Sequence, residues 1–152
     1  MILREAAESD FELISEISQS IYSSIANKAL FNWPGAVLRG ELQNVKTMVV
    51  EANCELVSFL CYRDLPDLYE ISVLATRFSV RNKNFQTALI EFLQRLAAKQ
   101  RKSIMLEVHH LNLPAQRLYQ KTGFLLVNSR RNYYSDGAEA LVMKWTNDKA
   151  GC

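Results

Sequence analysis

A mixed α/β domain, with one mostly antiparallel sheet flanked by helices, is the fold class this sequence predicts. Three observations predict it. Segments of strand and helix character follow the order strand, two helices, three strands, helix, strand, helix, two strands. Phe85, Ala88, Leu89, Phe92, Leu93, Leu96 and Ala97 recur at i, i+3, i+4, i+7, while Glu91, Gln94, Arg95 and Lys99 face away. That helix sits between apolar strands at Leu68–Thr76 and Ile104–Val108. Such a unit takes a right-handed crossover and pairs its two strands in parallel.

The elements follow in order. Ile2–Arg4 forms a short first strand. Asp10 then caps a helix whose apolar residues Phe11, Ile14, Ile17, Ile21, Tyr22 and Ile25 keep helical spacing. Asn32-Trp33-Pro34-Gly35 interrupts the chain before a second short helix at Ala36–Gln43. Lys46–Glu51 and Glu55–Arg63 are strands joined by a tight turn at Ala52-Asn53-Cys54. Leu68–Thr76 is apolar enough to be central. After the long helix and the Ile104–Val108 strand, Asn112 opens a helix to Thr122 and Gly123 closes it. Phe124–Asn128 and Ala138–Trp145 complete the sheet. Residues 1–146 form a single domain, and 147–152 a tail.

Composition narrows the classes. The 152 residues suffice for one domain with a real core. Hydrophobic residues at 49% and charged residues at 22% are ordinary for a globular chain. A net charge of +2 supplies no strong field for nucleic acid or a membrane surface, so any anion site is local. Cys54, Cys61 and Cys152 are odd in number and lack metal-ligand spacing. No apolar run reaches the ~20 residues of a membrane span. The N-terminal segment is acidic and polar where an export signal is basic and apolar. The expectation is a cytoplasmic protein that binds neither nucleic acid nor membrane.

The segment Ile104–Phe124, IMLEVHHLNLPAQRLYQKTGF, concentrates the chemistry. It brings a carboxylate (Glu107), an amide (Asn112) and a phenol (Tyr119) to one strand-to-helix junction. From the residues alone, Glu107 reads first as a solvent-facing strand Glu paired with a Lys or Arg. Tyr119 is equally a helix aromatic packed beside Leu118, and Asn112 a helix cap. His109 and His110 are adjacent with no third ligand nearby, and we read them as loop residues, with no metal expected.

The element order and these motifs resemble the GCN5-related N-acetyltransferase (GNAT) family over about Ile2 to Trp145. Within it the chain is most similar to the ribosomal-protein-alanine N-acetyltransferases. The wider family is carried by LEV-HHLN-LPAQRLYQKTGF and the subgroup by SRRNYYSDGAEALVM. Phe31-Asn32-Trp33 matches a Trp-containing loop of that subgroup. The resemblance implies the GNAT acyl-CoA N-acyltransferase fold and an N-acetyltransferase that uses acetyl-CoA as donor. The acceptor it implies is the N-terminal α-amine of a protein or peptide, a ribosomal protein among the candidates.

The resemblance also assigns residues. Acetyl transfer needs a neutral amine, a polarised carbonyl and a protonated leaving thiolate. Glu107 matches the base, acting through water on an α-amine of pKa ~7.7–8.0, and Tyr119 matches the acid. Asn112 reaches the pantetheine arm, to which Leu74, Ala75 and Thr76 offer backbone groups. Arg81, Asn82, Lys83, Asn84, Phe85, Gln86 and Thr87 align with the pyrophosphate loop. The family pattern there is Arg or Gln, two residues, Gly, one residue, Gly or Ala. Asn84 and Gln86 stand at the two small positions. Asn tolerates positive φ well and Gln does not, but the backbone N–H donors of a helix N-terminus survive either change. Trp33, Glu70, Arg131, Tyr133 and Tyr134 match the acceptor side. Two other readings remain: a GNAT-fold binding or regulatory module with weak or no acetyl-CoA affinity, and an acetyltransferase for a small-molecule amine.

Overall fold

The computed structural model describes residues 1–80 and 84–147. Seven strands form one sheet: β1 (Ile2–Glu5), β2 (Lys46–Ala52), β3 (Glu55–Asp64), β4 (Leu68–Thr76), β5 (Ser103–His109), β6 (Leu125–Arg130) and β7 (Ala140–Trp145). Four helices, α1 (Phe11–Ser24), α2 (Gly35–Glu41), α3 (Phe85–Gln100) and α4 (Leu113–Lys121), flank it. The sheet order is β1-β2-β3-β4-β5-β7-β6. As the sequence predicts, β4 and β5 pair in parallel around the α3 crossover, and the other neighbours are antiparallel.

Each face of the sheet carries its own core. α3 and α4 cover one face, where Leu89, Ile90, Leu93 and Ala97 pack on Ile104, Leu106, Val108 and Tyr119. Burying each large apolar side chain of α3 contributes ~1.5–3 kcal/mol. α1 and α2 cover the other face, where Ile14, Ile17, Ile21 and Leu38 meet Val49, Phe59, Val73 and Ala75. Gly35 is required between these two helices, because a Cβ there would lie 2.7 Å from the Ser15 carbonyl oxygen. The β2–β3 turn carries positive φ at Asn53 and Cys54, matching the right-handed twist of the strands it joins.

The feature that makes a site is the parting of β4 from β5. Their pairing covers only Leu68↔Ser103, Tyr69↔Ile104 and Glu70↔Met105. On its other edge β4 pairs Ile71 with Tyr62 and Val73 with Cys61, so Ser72 has no partner in β3. That extra residue is a β-bulge, which bends a strand and shifts its alternation by one. Tyr69 and Ile71 accordingly face the α3–α4 core, whereas Val73 and Ala75 face the α1–α2 core. Beyond Glu70 the two strands separate and leave backbone groups unpaired along the gap.

Candidate functional site

A cleft of about 1080 Å³ runs through this gap. Its walls include Leu74 and Thr76 of β4, Asn84, Phe85, Gln86 and Thr87 at the start of α3, and Glu107, Asn112, Tyr119 and Tyr134. Trp33, Glu70, Arg130 and Tyr133 line it as well. Most of the residues singled out from the sequence therefore share one cavity. Ala75 turns its side chain into the α1–α2 core, does not line the cleft, and its carbonyl accepts from Ser58 Oγ at 2.7 Å. Arg131 is exposed and does not line the cleft. Arg81, Asn82 and Lys83 lie outside the described residues, as do 148–152 of the tail.

Glu107 and Tyr119 come from opposite faces of the sheet. Glu107 alternates with Leu106 and Val108 and so points away from the α3–α4 core, to which Tyr119 belongs. They line one cleft because the strands have parted between the two faces. The Glu107 carboxylate is half-buried, and Oε1 lies 3.4 Å from Arg130 Nε. The Tyr133 hydroxyl hydrogen-bonds Glu107 and also feels Glu70, and that bond is the main reason its pKa is raised. The Arg130 guanidinium stacks 5.7 Å from the Tyr133 ring centroid. Glu107 is thus both an ion-paired strand Glu and a cleft carboxylate.

Tyr119 is buried, with its ring edge-on to Phe124 at 5.6 Å. Burial pushes its phenol well above the ordinary range, with the nearby Tyr134 adding to the shift. Among the described residues its hydroxyl has no hydrogen-bond partner. Asn112 caps α4 by accepting from the Ala115 N–H at 3.3 Å. Gln116 binds the His109 and His110 carbonyls from the same helix.

At the other end of the cleft, α3 begins without a side-chain cap. The Ala88 N–H closes the first helical bond onto the Asn84 carbonyl, which leaves the N–H groups of Phe85, Gln86 and Thr87 for a ligand. Asn84 has φ 61° and ψ 22°, the left-handed conformation that glycine would supply. Gln86 falls inside the helix, where ordinary helical φ is needed and glycine has no advantage. The backbone conformation at the start of α3 is therefore the same one that glycine at these two positions would take.

The Trp33 wall is clamped by α1. Ser18 Oγ donates to the Trp33 carbonyl, and the Gly35 N–H donates to Gln19 Oε1 at 2.9 Å. Arg130 enters the sequence reading only within the SRRNYY motif, where Arg131 alone is assigned to the acceptor side. The sequence reads His109 as a loop residue. His109 is the last residue of β5, buried and hydrogen-bonded to Asp136. The strand alternation of Met105, Glu107 and His109 was the signal available for it. Among the described residues no group of three or more His, Cys, Asp or Glu gathers as a metal site.

The model of the acetyltransferase (GNAT) family matches residues 5–124. No curated protein matches the chain in sequence. Among solved structures, Ard1 from Thermoplasma volcanium is 26% identical with a TM-score of 0.76, over 95% of this chain and 96% of that one. The ribosomal-protein-S18-alanine N-acetyltransferase from Escherichia coli is 21% identical with a TM-score of 0.80, over 95% and 92%. Salmonella typhimurium yncA, solved with its cofactor acetyl-CoA, is 17% identical with a TM-score of 0.73, over 97% and 94%.

Proposed function

Because the chain belongs to the GNAT family of acetyltransferases, we propose that it transfers an acetyl group from acetyl-CoA to the N-terminal α-amine of a protein or peptide by direct attack within a ternary complex. The observation that carries this reading is that Glu107 and Tyr119, an acceptor and a donor of protons from opposite sheet faces, line one continuous cleft. The residues present fit a CoA thioester. The uncapped start of α3 offers backbone N–H groups and a helix dipole to phosphates. The unpaired edge of β4 from Ser72 to Thr76 offers amide partners to an extended arm. Acetyl-CoA supplies the activated acyl group, and the protein's part is to orient and to move protons.

Glu107 takes a proton from the incoming amine through one water. A carboxylate suffices because an α-amine of pKa ~7.7–8.0 is partly neutral near pH 7, whereas a lysine amine near 10.4 is almost fully charged. Arg130 and Tyr133 fix the carboxylate rotamer, and Glu70 adds negative charge that attracts the ammonium form. Tyr119 delivers its proton to the departing sulfur, and its raised pKa keeps the phenol protonated beforehand. Trp33, Tyr133 and Tyr134 flank the acceptor chain with flat rings of low conformational entropy.

Calorimetric titration with acetyl-CoA, followed by mass spectrometry of a peptide pool with free α-amines and lysines, tests the reading. Binding near 1 μM, about −8 kcal/mol, with acetyl groups on α-amines is expected. Binding with modification of lysines or small amines alone would overturn the acceptor class. No binding up to millimolar acetyl-CoA would favour the binding-module alternative.

A further inference from the structure

His109 and Asp136 are buried or bonded groups next to the cleft that the reaction does not use. His109 Nδ1 accepts the Leu111 N–H at 3.1 Å, so the ring proton sits on Nε2. Nε2 lies 2.7 Å from Asp136 Oδ2 and donates to it. Both ring nitrogens are thereby committed, and with a side chain only 1% exposed His109 is not a base for substrate. Its ring is sandwiched between His110, at 5.3 Å and 12°, and Tyr134, at 4.8 Å and 31°.

Asp136 does more than receive that proton. Oδ2 also accepts from Asn27 Nδ2 at 3.0 Å, and Oδ1 accepts the Ala138 N–H at 2.9 Å. Asn27 meanwhile uses its own Oδ1 to hold the Ala29 N–H at 3.0 Å, at the start of the segment that leads to Phe31 and Trp33. One carboxylate thus joins three stretches of chain: the end of β5, the hairpin that carries Tyr133 and Tyr134, and the α1–α2 connection that carries Trp33. The Asn27 amide first, and His109 next, hold the Asp136 carboxyl far below its usual range.

We propose that Asp136 and His109 form a positioning pair that fixes the separation of the two aromatic walls at the acceptor end of the cleft, and so set affinity for the acceptor without touching the donor. The inference rests on the acetyl-transfer reading of the cleft. The tie lies at the Trp33–Tyr134 end, whereas the uncapped start of α3 and the unpaired edge of β4 carry the donor contacts. Loss of the tie lets the walls move apart and leaves the donor seat in place.

Asp136→Ala is the test. With a pool of decapeptides bearing free α-amines as acceptor, KM for peptide should rise about tenfold or more, as expected for losing charge-assisted hydrogen bonds. The dissociation constant for acetyl-CoA should stay within about twofold of wild type. An unchanged peptide KM, or an equal loss in both affinities, overturns the proposal. Asn27→Asp, which keeps the acceptor for the Ala29 N–H and removes only the donor to Asp136, should cost no more when added to Asp136→Ala than Asp136→Ala alone, and additive losses would break the linkage. Amide hydrogen exchange on the unliganded protein gives a readout free of activity. Exchange should quicken in both 27–33 and 133–138 in Asp136→Ala, and a change confined to one segment, or none, refutes the tie. If wild type acetylates no peptide, the functional reading fails, and the exchange result still decides the positioning claim.

Discussion

Tyr119→Phe removes one oxygen from the cleft and leaves the rest of the residue where it is. The ring keeps its edge-on contact with Phe124 at 5.6 Å, and among the described residues the hydroxyl has no hydrogen bond to lose. Stability should therefore change by less than about 1 kcal/mol, the usual net worth of the bond that is missing here. For a chain of this length that is a Tm shift of at most about 4 °C. Turnover should fall much further. A positioned general acid contributes ~10²–10⁴ in rate, which is about 3–5 kcal/mol of barrier. The assay is release of the free CoA thiol at saturating acetyl-CoA and peptide, with acetyl-CoA affinity measured separately and expected to hold. The pH profile adds a signed check. Burial raises the phenol above its ordinary value near 10, so Tyr119 stays protonated from about pH 6 to 9, and wild-type turnover shows no fall from its ionisation there. Turnover within twofold of wild type would remove Tyr119 as the proton donor. A large loss accompanied by a Tm drop near 10 °C would show that the hydroxyl is structural instead.

Gly35→Ala places a Cβ 2.7 Å from the Ser15 carbonyl oxygen and should cost ~1–3 kcal/mol, read as a Tm loss of several degrees, whereas Gly40→Ala, with nothing within 4 Å, should be neutral or stabilising. Equal effects at the two positions would refute the close helix approach that seats Trp33. At the start of α3, Asn84→Gly should leave Tm nearly unchanged and Asn84→Val should cost ~1–2 kcal/mol, because φ 61° is strained for a β-branched residue. Asp10 accepts from Arg4 at 2.7 Å, and that bond is the main cause of its lowered carboxyl pKa. A group depressed on folding stabilises above its unfolded value near 3.9 and loses that contribution as pH falls through the folded value. Tm should therefore decline below about pH 4 less steeply in Asp10→Asn than in wild type, and parallel declines would contradict the assignment.

The fold was legible where physics is local. The i, i+3, i+4 repeat of Phe85–Ala97 needs only a helix and a core to bury it, and observed α3 follows it, adding Ile90. The Asn112 cap and the Gly123 stop of α4 are likewise decided within a few residues, the latter by φ 96°. Ends were less legible. α1 stops at Ser24, one residue short of Ile25, and α2 ends at Glu41 where Gln43 was expected. In the site, Glu107, Asn112 and Tyr119 were readable because they cluster within thirteen positions of chain. Arg130, His109 and Asp136 were not, since their partners lie up to 109 residues away and no periodicity links them.

The least legible feature is also the one on which the proposed chemistry depends. Leu68–Thr76 reads as a simple apolar strand, yet Ser72 has no partner in β3, and pairing with β5 ends at Glu70. A bulge is a property of two strands in register and cannot be seen in one of them. Had β4 alternated regularly and paired with β5 along its length, the sheet would have kept Glu107 on the α1–α2 face and Tyr119 on the α3–α4 face. No substrate atom could then sit between them. The extra residue opens the sheet, exposes backbone amides along its edge, and lets the Glu107 carboxylate and the Tyr119 phenol, the proposed proton acceptor and donor, line one cleft from opposite faces. A chain that kept Glu107 and Tyr119 but paired regularly beside Ser72 would thus keep the residues and lose the cleft they share.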